Sequence, residues 1–111
     1  MTSPVAWFDN QSKDADRTAG FYAKTFGFTV QQGPGFPMLF SGDGPFASVS
    51  ANTNGRTGWI PYFEVADLQA AEHKARESGG EVVEERQRGP AGEYVIVKDP
   101  GGTLFALWKR G

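Results

Sequence analysis

The feature that most constrains this chain is a local pattern that occurs twice. An acidic residue suited to start a helix precedes an apolar stripe, a glycine closes it, and a strand-like run follows. The markers are Asp14, Gly27 and Val30 in the first copy and Asp67, Gly80 and Val83 in the second, a shift of 53 residues. In the first copy Ala15, Ala19, Tyr22 and Phe26 recur at helical spacing. Ser12 and Asp14 are N-cap candidates there, and Gly27 falls where a left-handed C-terminal residue is expected. In the second copy Asp67 caps a stripe of Leu68, Ala71, Ala75 and Ser78, ended by Gly79-Gly80. Glu72 and Arg76 form an i,i+4 pair on its outer side.

Each helical stretch has one strand before it and three after it. In the first copy the strands are 5–8, 28–32, 38–40 and 46–51; residues 9–17 read as a polar connection and GPGFP (33–37) as a loop. In the second they are 59–65, 81–85, 93–98 and 103–108. Pro61 suggests an edge or a bulge in the first of these, and RQRGPAG (86–92) reads as a flexible loop. The last strand is the most sharply marked: Asp99-Pro100-Gly101-Gly102 places four turn formers before a β-branched and aromatic run. Alternation sends Leu104, Ala106 and Trp108 to one face and Thr103, Phe105 and Leu107 to the other, and both faces are apolar enough to be covered. The fold predicted is α+β, one domain over 1–111 of two pseudo-repeated β-α-β-β-β modules: residues 4–51, a polar linker 52–58, and residues 59–110.

Composition narrows the function classes. With no cysteine, disulfides, thiolate metal sites and a cysteine nucleophile are excluded. Eleven basic against thirteen acidic residues, with no basic stripe, argue against nucleic acid as a partner. No apolar run reaches membrane-spanning length, and MTSPVAWF lacks the pattern of a secretory signal, so a cytoplasmic protein is expected. Nine Phe, three Trp and three Tyr exceed what one small core needs, leaving rings to line a binding site.

The motifs resemble those of the vicinal oxygen chelate superfamily, which includes glyoxalase I, bleomycin-resistance proteins and extradiol dioxygenases. The matching residues are Asp14, Phe21-Tyr22 and Phe26-Gly27 in the first half, then FEVADLQAA…GG (63–80) and DPGG (99–102) in the second. The resemblance implies two modules whose sheets form a shared concave cleft, and a homodimer. It also implies where a divalent metal would be held in metal-dependent members. Those positions are Trp7, Ile60 and Ala106 here, with Ser48 or Ser50 at the fourth. Tryptophan, isoleucine and alanine offer no electron pair to a hard cation, so neither a metal nor any other cofactor is expected.

By strand alternation from those positions, Trp7, Ile60, Tyr62, Ala106 and Trp108 are expected to face the cleft. Two indoles and a phenol suit a planar guest, with the Tyr62 hydroxyl for orientation. Glu64 shares the face of Tyr62 and is the single candidate general base. Ser48 and Ser50 lack a histidine partner and are read as hydrogen-bonding groups. Phe36 in GPGFP and Arg86 and Arg88 in RQRGPAG are placed on loops at the rim. His73, the only histidine, is expected on the solvated side of the second helix. The leading expectation is a metal-free protein that binds or sequesters a small aromatic or apolar molecule, of bleomycin-resistance type. The alternative is a superfamily enzyme (lyase, isomerase or dioxygenase) with a displaced metal site or with metal-free acid–base chemistry.

Overall fold

Among the described residues two helices and eight strands alternate as β-α-β-β-β twice over, an α+β fold. The computed structural model describes residues 5–51, 54–89 and 91–111. Residues 4, 52 and 53 at the expected module boundaries, and Pro90 of the expected RQRGPAG loop, lie outside the described residues. The chain divides into two compact units, Trp7–Ile60 and Pro61–Gly111, the latter together with Met1–Ala6. Among the described residues no helix is long and apolar enough to cross a membrane.

In the Trp7–Ile60 unit, β1 (Val5–Ser12), β2 (Thr29–Gln32), β3 (Pro37–Ser41) and β4 (Gly44–Ala51) are ordered β2-β3-β4-β1. The β1–β4 pair is parallel and the other two pairs are antiparallel. Helix α1 (Ala15–Phe26) covers one face through Ala19, Leu39, Ala47 and Val49, with Ala15, Tyr22 and Phe46 packed around them. Its N-cap is Asp14, whose side chain accepts from the Arg17 amide at 3.2 Å. At its other end Gly27 adopts φ +79° and closes on the Ala23 carbonyl, a backbone state that glycine takes without steric cost.

Two expectations for this unit are corrected. The first strand does not stop at Phe8 but runs on to Ser12, because the polar residues of DNQS find hydrogen-bond partners within the unit. Phe26 is not in the buried stripe: it is 62% exposed, stacking on Tyr22 and Phe28 instead.

In the second unit β5 (Gly58–Glu64, which enters this unit at Pro61), β6 (Glu81–Gly89), β7 (Gly92–Lys98) and β8 (Leu104–Arg110) are ordered β5-β8-β7-β6. Parallel β5–β8 pairing begins at Tyr62, just past Pro61. Helix α2 (Leu68–Glu77) packs Leu68 on Val95, Val97 and Leu107, with Ala71 and Ala75 beside them. The Asp67 side chain caps it by accepting from the Ala70 amide at 3.0 Å. The left-handed residue after α2 is Gly79, at φ +97°, not Gly80, because α2 is two residues shorter than α1. Gly80 is needed for a different reason: a Cβ there would lie 2.9 Å from the Ala75 carbonyl oxygen. Ser78 is an exposed C-cap and not part of the apolar stripe.

The expected loop at RQRGPAG is corrected as well. Strand β6 continues through Arg86 and Arg88 to Gly89, pairing Gln87 with Tyr94 and Arg88 with Glu93 after two irregularities in register. Cross-strand charge supports this extension, with Arg88 4.0 Å from Glu93.

Candidate functional site

Strand alternation gives the Trp7–Ile60 sheet one face under α1 and one face that α1 does not cover. Ala47 and Val49 of β4 lie in the cluster under α1, so Ser48 and Ser50 point the other way. In the parallel register Asp9 sits opposite Ser48 and Gln11 opposite Ser50. Trp7, Asp9 and Gln11 therefore line the same face as the two serines.

These side chains form one directed hydrogen-bond network. The indole Nε1–H of Trp7 donates to Ser48 Oγ at 2.9 Å. Ser48 Oγ in turn donates to Asp9 Oδ1 at 2.7 Å, and Ser50 Oγ donates to the same oxygen at 2.7 Å. Gln11 Nε2 donates to Asp9 Oδ2 at 3.4 Å, and Arg56 Nε donates to Gln11 Oε1 at 3.0 Å. Asp9 is only 5% exposed and Ser48 is equally buried. A buried carboxylate is tolerated when donors surround it, and here two hydroxyls converge on one oxygen.

The second unit makes a different surface on its own face away from α2. Tyr62 pairs with Ala106, Glu64 with Trp108, and Trp108 with Tyr94. The rings of Tyr62 and Tyr94 lie 5.5 Å apart, and Ala106, Ile96 and Trp108 are buried beside them. The guanidinium of Arg110 sits 4.8 Å from the Trp108 ring centre and is held by two hydrogen bonds to Glu64, of 3.1 and 3.2 Å. Those hydrogen bonds, and then the charge of Glu64, raise the pKa of Arg110 above its ordinary value.

The expected site residues therefore fall into separate groups. Trp7, Ser48 and Ser50 are joined in the first unit, and Tyr62, Ala106 and Trp108 share a face of the second. Ile60 is buried, and Phe36 is half-buried in the 33–36 turn, where the Gly33 amide bonds its carbonyl. Glu64 is exposed and committed to Arg110, a poor setting for a general base. Arg86 and Arg88 are exposed on a strand and do not rim a loop. His73 is exposed and lies 3.3 Å from Glu77. Asp9 was missed. The signal for it was the Ser48/Ser50 alternation opposite a strand that could have been extended two residues past Trp7.

The superfamily resemblance implies a divalent metal, and the donor set decides whether one fits. The equivalent positions hold Trp7, Ile60 and Ala106, which carry no ligand atoms for a hard cation, and the serine hydroxyls are already engaged with Asp9. Among the described residues no three His, Cys, Asp or Glu side chains converge. These residues do not fit such a metal.

Comparison with known proteins agrees with the fold. The glyoxalase-like domain model matches residues 6–108, and the chain belongs to that family, within the vicinal oxygen chelate superfamily. The anthracycline biosynthesis protein DnrV of Streptomyces peucetius is 30% identical over 128 aligned residues, covering 96% of this chain and 46% of its own. This chain thus spans about half the length of the curated relatives it matches. A methylmalonyl-CoA epimerase in complex with methylmalonyl-CoA and NH4+ superposes with a TM-score of 0.70 at 21% identity, covering 98% of this chain and 95% of the other. A glyoxalase/bleomycin resistance protein/dioxygenase superfamily member from Vibrio splendidus 12B01 gives a TM-score of 0.67 at 16% identity, covering 95% and 97%.

Proposed function

We propose that this chain binds a small, largely aromatic or apolar molecule without a metal, using the Trp7 indole as a stacking surface. The observation that carries this reading is the anchoring of that indole. Its N–H is fixed by Ser48, and Ser48 is fixed by a buried carboxylate, so the ring is held in one orientation on a sheet face that α1 leaves uncovered. A pre-oriented ring loses little freedom when a guest stacks on it. Burial of the guest's apolar area supplies the affinity, at roughly 25 cal/mol per Å². Similarity to proteins named for anthracycline biosynthesis supports a polycyclic aromatic guest.

Hydroxymethylanthraquinone is a suitable probe. It is expected to quench tryptophan fluorescence saturably, and Trp7→Phe, which keeps a ring but loses the Ser48 bond, is expected to weaken binding severalfold. Trp7→Ala is expected to abolish it. Saturable quenching that survives Trp7→Ala unchanged would place the guest elsewhere and remove this reading.

A further inference from the structure

The Asp9 carboxylate is unevenly occupied. Oδ1 accepts two short hydroxyl bonds, while among the described residues the partner of Oδ2 is the Gln11 amide at 3.4 Å, a long contact. A carboxylate oxygen has room for about two hydrogen bonds, so Oδ2 keeps acceptor capacity inside a side chain that is 5% exposed. The direction of the network adds to this. Because Ser48 receives the Trp7 N–H, its own proton must go to Asp9. The Ser50 hydroxyl is spent on Asp9 too, and Gln11 turns its amide hydrogens toward Asp9 while its carbonyl faces Arg56. Around Trp7 acceptor capacity therefore remains on one carboxylate oxygen, Asp9 Oδ2, beside the second N–H of the Gln11 amide.

From this asymmetry the geometry assigns Asp9 a role in ligand choice: Oδ2 receives a hydroxyl or N–H of the bound molecule, so that the site selects aromatic molecules bearing a hydrogen-bond donor over the same molecules with that donor capped. This rests on the binding reading given above. Asp9 lies two residues along β1 from the position equivalent to a superfamily metal ligand, on the same face, so the selection uses a different residue from metal chelation.

The test compares hydroxymethylanthraquinone with its methyl ether, which differs at the donor alone. Wild-type protein is expected to bind the alcohol about tenfold more tightly or better, the range for a hydrogen bond to a charged acceptor. In Asp9→Asn the serine hydroxyls continue to hold an oxygen at the Oδ1 position, which turns an NH2 group toward the ligand. The preference, read as the ratio of the two affinities within the one variant so that any general weakening of the site cancels, is expected to fall to near parity. Should Asp9→Asn fail to fold, Ser50→Ala removes one of the two bonds fixing the carboxylate plane and is expected to reduce the preference severalfold. Equal binding of alcohol and ether by the wild type overturns this inference and leaves the binding reading standing. So does a preference that persists in Asp9→Asn, or in Ser50→Ala where that variant stands in. If the wild type binds neither compound, both readings fall.

Discussion

In the Trp7–Ile60 unit the outer side of α1 is aromatic, with Phe21 and Phe26 each more than 60% exposed, while in the Pro61–Gly111 unit the outer side of α2 is laced with the pairs Glu72–Arg76 and His73–Glu77. On the sheet faces away from the helices the contrast reverses. There the first unit buries a polar network around Asp9, and the second buries Ile96, Ala106 and Trp108, with Glu64 and Arg110 paired in the open beside them. The helix-covered faces of both units follow one rule, small and branched apolar side chains under a capped helix. The difference teaches where constraint sits. A buried carboxylate must have every donor in place, whereas an exposed ion pair can be lost with little effect.

The comparison can be broken at its strongest point by removing volume from the two cores. Leu39→Ala under α1 and Ile96→Ala on the opposite type of face in the second unit are each expected to cost about 2–5 kcal/mol in urea denaturation, since both side chains are fully buried. A cost well below that range for Ile96→Ala would show that the second unit's face is loosely packed. Next, Asp9→Ala strands the Ser48 and Ser50 hydroxyls and is expected to cost about 1–3 kcal/mol, while Glu64→Ala is expected to leave the denaturation midpoint where it was. Equal effects of the two carboxylates would erase the distinction between buried network and surface pair. The caps should behave alike in both units, with Asp14→Ala and Asp67→Ala each expected to cost about 1 kcal/mol. A change smaller than that of either cap, under about 1 kcal/mol, is expected for Phe26→Ala, because its contacts are stacking contacts on an exposed ring.

Much of the fold was legible because it is written in local signals. Asp14, Gly27 and Asp67 do at helix ends what their backbone and side-chain chemistry favours, and the alternation of Thr103–Trp108 marked a strand buried on both faces. What could not be read locally was the extent of β1 and β6. DNQS and RQRG are polar, and polar runs read as loops unless their partners are known. The partners, Ser48, Ser50 and Glu93, stand 39, 41 and 5 residues away from Asp9 and Arg88. The site followed the same division. Trp7, Ser48 and Ser50 were visible as residues of a kind, but the carboxylate that links them depended on a strand continuing where composition suggested a turn. Phe26 shows the converse: helical spacing marked it for the core, yet at the last turn of α1 it stacks on Tyr22 and Phe28 and stays exposed.

The irregularity between β3 and β4, where Leu39 faces Ala47 but Phe40 faces Pro45, leaves Phe46 as an extra residue on β4. Phe46 works like a clutch between the hairpin at its tip and the serine pair beyond it. Alternation restarts at Ala47, so the phase of Ser48 and Ser50 is held on the far side of Phe46 from the tip, by Met38 on β3 and by their parallel neighbours on β1. Descendants of this chain are thus free to lengthen or trim the tip at Gly42–Asp43 without turning the hydroxyls away from Asp9.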